Sequence, residues 1–364
     1  MPPEQQNGIT GKILIVGGYG QVGRLIAEKL APLFPNRLII SGRNIDKAES
    51  AASEVGYGAQ GRSVDIFAEG AENVLEGVSL VVVCHDQVNT KFVEQCLSRG
   101  IHYVDISADY TFLSQVEMLD GLARQNNATA ILSVGLAPGL TNLLASHAND
   151  LMGNVDQIDI LLEFGLGDHH GQAALEWMFD NLDASYEVMD NGRTKSVRSF
   201  SDSTNISLPG SKSKHPAYRF NFSDQHVIAR TLNVPTVSTW VRFEDRLSTW
   251  LFATFSRVGL GRLLRRPLWR KIAIWFFMNI HKGSDICGVA IHAFGQAANG
   301  LNEATIGVIG RNESLMTAIM AAEVIRQMLT TNLEPGVFHS EQFVDFDQVI
   351  EALKAEYPDL LVTV

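Results

Sequence analysis

The chain is short of cationic residues. It carries 29 Lys and Arg against 40 Asp and Glu, a formal net charge of −11 over 364 residues. A surface of that sign argues against a nucleic-acid partner, which calls for a basic face. Cysteine is scarcer still: Cys84, Cys96 and Cys287 make an odd count with no C-x-x-C pair. That argues against a disulfide framework, and no ligand spacing points to a structural metal, so no metal site is expected. Long apolar runs are missing too. The longest, over 272–278, is far shorter than the roughly 20 residues that cross a bilayer. The opening residues 1–11 are polar, hold Pro2 and Pro3, and offer no apolar signal core. A reducing, cytoplasmic setting is expected.

The charge that is present is uneven. Residues 246–284 contain eight basic side chains and no acidic one, which leaves −19 on the rest of the chain. Seven aromatics share that stretch, Trp250, Trp269 and Trp275 among them. Arg262, Arg265, Arg266, Arg270 and Lys271 stand among leucines at the spacing of an amphipathic helix, broken or restarted at Pro267. Three roles fit this stretch. It lies against an anionic membrane surface as a peripheral contact, or it forms a dimer face or a lid over an apolar substrate, or it is a packed helical hairpin with a solvated basic edge.

Apolar runs at 12–16, 37–40, 78–84, 101–106 and 128–134 alternate with helical patterns at 21–33, 44–55, 89–99 and 113–126. Strands alternating with helices predict right-handed crossovers and a parallel sheet. Their unbroken apolar character fits a sheet covered on both faces. After about residue 140 the pattern changes to strands at 157–164, 218–222, 236–243, 287–295 and 304–309, which predicts an α+β domain with a mostly antiparallel sheet. A periodic helix over 314–329, a turn at Pro335–Gly336 and a short helix from Asp347 close the chain.

Gly18-Tyr19-Gly20-Gln21-Val22-Gly23, preceded by Gly17, reads G-x-G-x-x-G directly between a strand and a helix. In that context the pattern signals a dinucleotide site. Glycines let the chain turn tightly and let a pyrophosphate approach the amides at the helix N-terminus. The end of the second strand selects the nucleotide. An NAD site usually places a carboxylate there for the ribose hydroxyls. This chain has Ser41-Gly42-Arg43-Asn44 instead, with Arg43 to face a 2′-phosphate and Ser41 and Asn44 to bond it, so NADP(H) is the expected cofactor.

The runs ILIVGGYGQVG, LIISGRNIDKAE, VSLVVVCHD and GIHYVDISAD resemble the NADP-binding domain of the saccharopine dehydrogenase-like family. GLAPGLTNLLA and the C-terminal GRNESLMTAIMAAEVIRQML with EPGV are similar to later segments of that family. The resemblance implies a Rossmann domain over 1–140, completed by 312–364, with an inserted α+β substrate and dimerisation domain over 141–311. It also implies an NAD(P)-dependent oxidoreductase, interconverting amines and imines or reducing carbon–carbon double bonds in lipid-like substrates, and a homodimer. Many relatives have small residues and a proline at the fourth strand tip. Here Cys84-His85-Asp86-Gln87 stands there, near where such folds place the nicotinamide ribose.

Ligands of open α/β sheets bind beyond the carboxyl ends of the strands. Cys84 and His85 are therefore candidate cofactor contacts, and His85 suits a proton shuttle because its reference pKa is near neutrality. It equally suits a structural role bonded to backbone. Asp65 is a candidate for the adenine end or an ordinary turn residue. Asp105 and Asp109 flank Ser107 and suit a substrate amine, although an aspartate before a helix also suits a cap. His169 and His170 follow a strand and precede a helix, as candidate general acid/base groups or exposed loop residues. Arg219, Arg230 and Arg242 are candidates for a substrate carboxylate. The expected reaction is hydride transfer to or from an imine or amine carbon, with His85, His169, His170 and Asp109 as candidate catalytic residues. The alternatives are reduction of a carbon–carbon double bond on a hydrophobic small-molecule substrate, or a non-catalytic NADP-binding, membrane-associated protein.

Overall fold

The computed structural model describes residues 9–168, 172–210, 215–259, 263–264, 266–279, 283–296 and 302–363. The chain divides into two compact units, Met1–Gly139 with Thr317–Ala352, and Leu140–Met316 with Leu353–Val364.

The first unit begins β1 (Lys12–Val16), α1 (Gln21–Leu30), β2 (Leu38–Gly42), α2 (Ile45–Val55), β3 (Gln60–Ser63) and β4 (Val78–Val83). It continues α3 (Lys91–Leu97), β5 (His102–Asp105), α4 (Tyr110–Glu117), α5 (Asp120–Gln125) and β6 (Thr129–Leu132). The apolar strands form because both faces are covered: Ile13, Leu14 and Ile15 of β1 and Val81, Val82 and Val83 of β4 are all fully buried. On one face Phe92, Val93, Cys96 and Leu97 of α3 and Phe112, Leu113 and Val116 of α4 join the core.

The second unit runs α6 (Thr141–Met152), β7 (Val155–Phe164), α7 (Gln172–Asn181), β8 (Ser185–Asp190), β9 (Arg193–Arg198), β10 (Ser203–Thr204) and β11 (Ala217–Arg219). Then come α8 (Asp224–Thr231), β12 (Thr236–Phe243), α9 (Arg246–Arg257), α10 (Pro267–Asn279), β13 (Ile286–Gly295) and β14 (Glu303–Arg311). The chain ends with α11 (Glu313–Thr330), β15 (Gly336–His339), α12 (Phe346–Glu356) and β16 (Leu361–Thr363).

The first sheet has seven parallel strands in the order β15-β6-β5-β4-β1-β2-β3. The second has seven in the order β10-β11-β12-β7-β13-β14-β16. All its neighbours are antiparallel except β12 and β7, which run parallel. The architecture is thus a Rossmann-like α/β unit and an α+β unit with a mostly antiparallel sheet.

One boundary differs from the sequence reading, which placed 312–364 wholly with the first unit. β16 pairs antiparallel with β14 through Thr363–Gly307 and Leu361–Ile309, so backbone hydrogen bonds hold the last residues to the second sheet.

Candidate functional site

Strand register builds the site. Val16 of β1 lies opposite both Ser41 of β2 and Val83 of β4, and Val83 lies opposite Asp105 of β5. Four parallel strands therefore end level, and the loops that follow them open on one edge of the sheet. The chain proceeds outward from β1 to β2 and β3 on one side and through β4, β5 and β6 on the other. The ends of β1 and β4 thus flank the point where strand order reverses, where ligands of such sheets bind.

The glycine turn leaves β1 here. Gly17 has φ +77°, a conformation that L side chains rarely adopt. A Cβ on Gly18 would lie 2.8 Å from the Ile15 carbonyl oxygen and 2.9 Å from Ile40 Cγ2. Gly20 is the N-cap of α1, whose first turn, Gln21-Val22-Gly23-Arg24, has no side-chain cap and no acidic residue. First-turn amides lack partners within a helix and carry its positive end. A Cβ on Gly23 would collide with the Gly17 carbonyl, so helix and turn pack backbone to backbone. This cradle fits a dinucleotide pyrophosphate. Tyr19 leans from the turn onto the β2 tip: a Cβ on Gly42 would meet its ring at 2.5 Å, and its hydroxyl accepts from the Asn44 N–H at 3.3 Å.

At the β2 tip the four residues separate. Ser41 is fully buried and its hydroxyl donates to the Ile15 carbonyl at 3.1 Å. The Asn44 side chain accepts from the Lys47 N–H at 3.0 Å as the N-cap of α2. Each of these side chains thus has a backbone partner within the fold. Arg43 is exposed and is the one cation of the tip. Asp65 accepts from the Phe67 N–H at 3.0 Å, the geometry of a turn aspartate. With Ile45, Arg62 and Ser63 it also lines a surface cavity of about 470 Å³.

The β4 tip carries Cys84 and His85 directly across from the glycine turn. A Cβ on Gly17 would lie 3.5 Å from Cys84 Cβ and from His85 Cδ2. Burial and the nearby Asp105 charge push the Cys84 thiol well up, so it stays neutral. His85 is half-buried, with Nδ1 3.0 Å from the Asp86 carbonyl and its ring 6.0 Å from that of Phe67.

A buried polar network, which the sequence did not reveal, lies behind this tip. Asp105 is fully buried and accepts from the Tyr103 hydroxyl at 2.5 Å, from Gln87 Nε2 at 2.9 Å and from the Ser107 N–H at 2.6 Å. Gln87 Nε2 also lies 2.5 Å from the Tyr103 hydroxyl oxygen. Asp105 is therefore not an exposed anchor for an amine. It pins the Cys84–Gln87 loop to β5. Loss of solvent, partly offset by the Tyr103 and Ser107 hydrogen bonds, pushes its carboxyl up to about 7. The one hint in sequence was the alternation His102-Tyr103-Val104-Asp105, which turns Tyr103 and Asp105 to the same face.

The remaining candidates fall elsewhere. Asp109 is exposed and accepts from the Thr111 N–H at 2.7 Å as the N-cap of α4. His169 and His170 lie outside the described residues. Their neighbour Asp168 is buried and accepts from the Glu313 N–H at 2.7 Å, at the start of α11. Arg242 is buried in an ion pair with Glu163 and donates to the Ile206 and His215 carbonyls. Arg219 stacks 4.5 Å from the Trp240 ring and donates to Ser238. Both arginines are framework. In the second unit Trp177, Met178, Phe220, Phe222 and Phe252 line an apolar cavity of about 90 Å³.

Residues 13–131 match the saccharopine dehydrogenase NADP binding domain. The chain shows no significant sequence match to a curated protein. Among solved structures it is similar to saccharopine dehydrogenase (L-Glu forming) from Saccharomyces cerevisiae, at TM-score 0.65 and 13% identity, covering 98% of this chain and 100% of that one. It is also similar to homospermidine synthase from Legionella pneumophila in complex with NAD, at TM-score 0.67 and 12% identity, covering 98% and 91%. At such identities the likeness is one of fold.

Proposed function

We propose that this protein is an NADP(H)-dependent oxidoreductase acting at an imine or amine carbon, because residues 13–131 match a saccharopine dehydrogenase NADP binding domain and the fold is similar to that of saccharopine dehydrogenase. The domain itself is that of an NAD(P)-dependent oxidoreductase. The observation that carries the reading further is the register that sets an uncapped, acid-free helix N-terminus level with the Cys84–His85 tip, beside a β2 tip whose one charge is Arg43.

When bound, the nicotinamide nucleotide supplies the hydride chemistry. The chain supplies position and charge. The turn Gly17–Gly23 holds the pyrophosphate, and Arg43 takes the 2′-phosphate by charge-assisted hydrogen bonds. The Cys84 thiol, held neutral by burial, adds no anion at the β4 tip. Reduction of an imine also adds a proton at its nitrogen, and the reverse removes one; His85, His169 and His170 are the groups proposed to exchange it. The match of residues 13–131 to the saccharopine dehydrogenase NADP binding domain supports this substrate class. The apolar cavity of the second unit supports one further reading, reduction of a carbon–carbon double bond on a hydrophobic substrate. A cytoplasmic homodimer is the proposed state.

The test is titration and turnover. Arg43→Ala is expected to weaken NADPH binding at least about tenfold and leave NADH unchanged. An equal loss for both nucleotides, or none, refutes the assignment of Arg43. NADPH oxidation is then followed with amine–oxoacid pairs and with enones. Turnover with enones alone selects the second reading. Tight NADPH binding with no turnover on either panel selects a non-catalytic, nucleotide-binding role.

A further inference from the structure

We infer that helices α9 and α10 of the second unit form a docking surface for an anionic lipid bilayer. α9 turns the wrong way round for a helix packed in water. Its buried positions are the small residues Thr249, Ala253 and Ser256. They are fixed inward by hydrogen bonds, Ser256 to the Leu182 carbonyl at 2.7 Å and Thr249 to the Phe243 N–H at 2.9 Å. Leu247, Trp250, Leu251, Phe255 and Val258, spaced three and four apart on one stripe, are instead 46–63% exposed. α10 repeats the pattern. Leu268, Trp269, Ile272 and Trp275 are 49–67% exposed, while Ile274 is buried. Arg270 fastens α10 to α7 through both carboxylate oxygens of Asp180, at 2.6 and 2.8 Å. Nine of the seventeen exposed large apolar side chains among the described residues belong to this one segment. Soluble monomers rarely leave large apolar surface uncovered, and each of these two consecutive helices leaves a stripe of it in water.

Charge selects the occupant. The segment 246–284 holds eight basic residues and no acid within a chain that is otherwise strongly acidic. Arg246, Arg266 and Lys271 are exposed on or beside these helices. A second copy docking by two-fold symmetry would set this patch against itself, cation facing cation. A bilayer rich in acidic phospholipid offers both things the surface lacks, headgroup anions for the basic side chains and an acyl boundary for the leucines. Tryptophans favour that boundary. No helix among the described residues is long and apolar enough to cross a membrane, so the contact is in plane. Thr249 and Phe252, on the inner side of α9, line the apolar cavity described above. The docking helix therefore separates that cavity from the lipid surface.

The test is flotation of the full chain with vesicles of phosphatidylcholine alone or with about 30 mol % phosphatidylserine, which brings the anionic surface potential into play. Binding is expected on the acidic vesicles only, with a blue shift of tryptophan emission and reversal by salt. Arg246→Glu with Lys271→Glu is expected to lower the partition coefficient at least about 25-fold, from about fivefold per removed cation. Trp250→Glu with Trp275→Glu is expected to abolish flotation. Both variants alter exposed positions of the second unit, so unchanged NADPH binding and an unchanged far-ultraviolet spectrum show that each is folded. Flotation is read without turnover, so its outcome is independent of the proposed reaction. Absence of flotation at low salt overturns the inference. So does light scattering that shows a dimer in wild type and a monomer in the tryptophan variant, because the surface is then a subunit interface.

Discussion

Asp105→Asn tests the network behind the β4 tip. The carboxyl is fully buried and is raised from 3.8 to about 7, with desolvation as the main cause. The Tyr103 hydrogen bond works against that rise and the Asp86 charge adds to it. A carboxyl that is harder to ionise when folded binds a proton on folding. Its contribution is therefore complete below the unfolded value near 4, fades as pH rises, and is lost above about 7. The whole span corresponds to about 4 kcal/mol, of which about 2–3 kcal/mol falls between about pH 5 and pH 8.5. Asparagine removes the titration. Its oxygen still accepts from the Ser107 N–H, and its amide donates where the carboxylate accepted. Gln87 Oε1 has no partner in the wild type, so a turn of that amide supplies the missing acceptor. The variant is thus expected to gain on the wild type as pH rises, by about 50–100-fold in local opening equilibrium over that interval. All five tryptophans lie between residues 177 and 275, in the second unit, so fluorescence does not report on β5. Hydrogen exchange of peptides covering 101–107 does, and comparing both proteins at each pH cancels the intrinsic exchange rate. A protection ratio that is the same at both pH values refutes the reasoning.

Two other substitutions separate backbone packing from ligand contact and framework from site. Gly18→Ala drives a methyl into the Ile15 carbonyl and Ile40, at an expected cost of about 1–3 kcal/mol to the first unit by thermal melt. Gly20→Ala meets nothing nearer than the Gly17 oxygen at 3.1 Å, so it is expected to fold near normally yet lose NADPH affinity by calorimetry. Glu163→Gln leaves the buried Arg242 charge unpaired and is expected to destabilise the second unit by about 3–5 kcal/mol in urea, read by tryptophan emission. A cost below about 1 kcal/mol would mean that Arg242 is satisfied by the Ile206 and His215 carbonyls alone.

The strands most visible in sequence are those buried on both faces. β1, β2, β4 and β6 are dominated by Ile, Leu, Val and Ala, with one polar residue each. β3, Gln60-Gly61-Arg62-Ser63, is an edge strand with half-exposed or exposed residues, so periodicity gives it no apolar signature. β15 sits directly behind the Pro335–Gly336 turn signal, and β8 with β9 forms a largely solvated pair apart from Val188 and Val197. The glycine turn was legible because its chemistry is local. The Asp105 network was not, because Gln87 and Asp105 come together only through the β4–β5 register. Ser41, Asn44 and Asp109 show the converse. The polar atoms that make them suitable ligands also suit nearby backbone groups, and those bonds, which form only on folding, are the ones seen. The basic and aromatic content of 246–284 was plain in sequence, but which side of each helix faces water was settled only by packing.

The two late strands also set a timetable for biosynthesis. β6 at residues 129–132 stays an open edge until its partner β15, at 336–339, has been made, about 200 residues later. At ordinary translation rates that interval is roughly 10–40 s. During it an apolar parallel strand is exposed to edge-on pairing with other chains. The outer edge of β14 waits a shorter time, about 50 residues, for residues 361–363. Loss of a few dozen residues at the end of the chain therefore leaves an uncovered strand in each sheet.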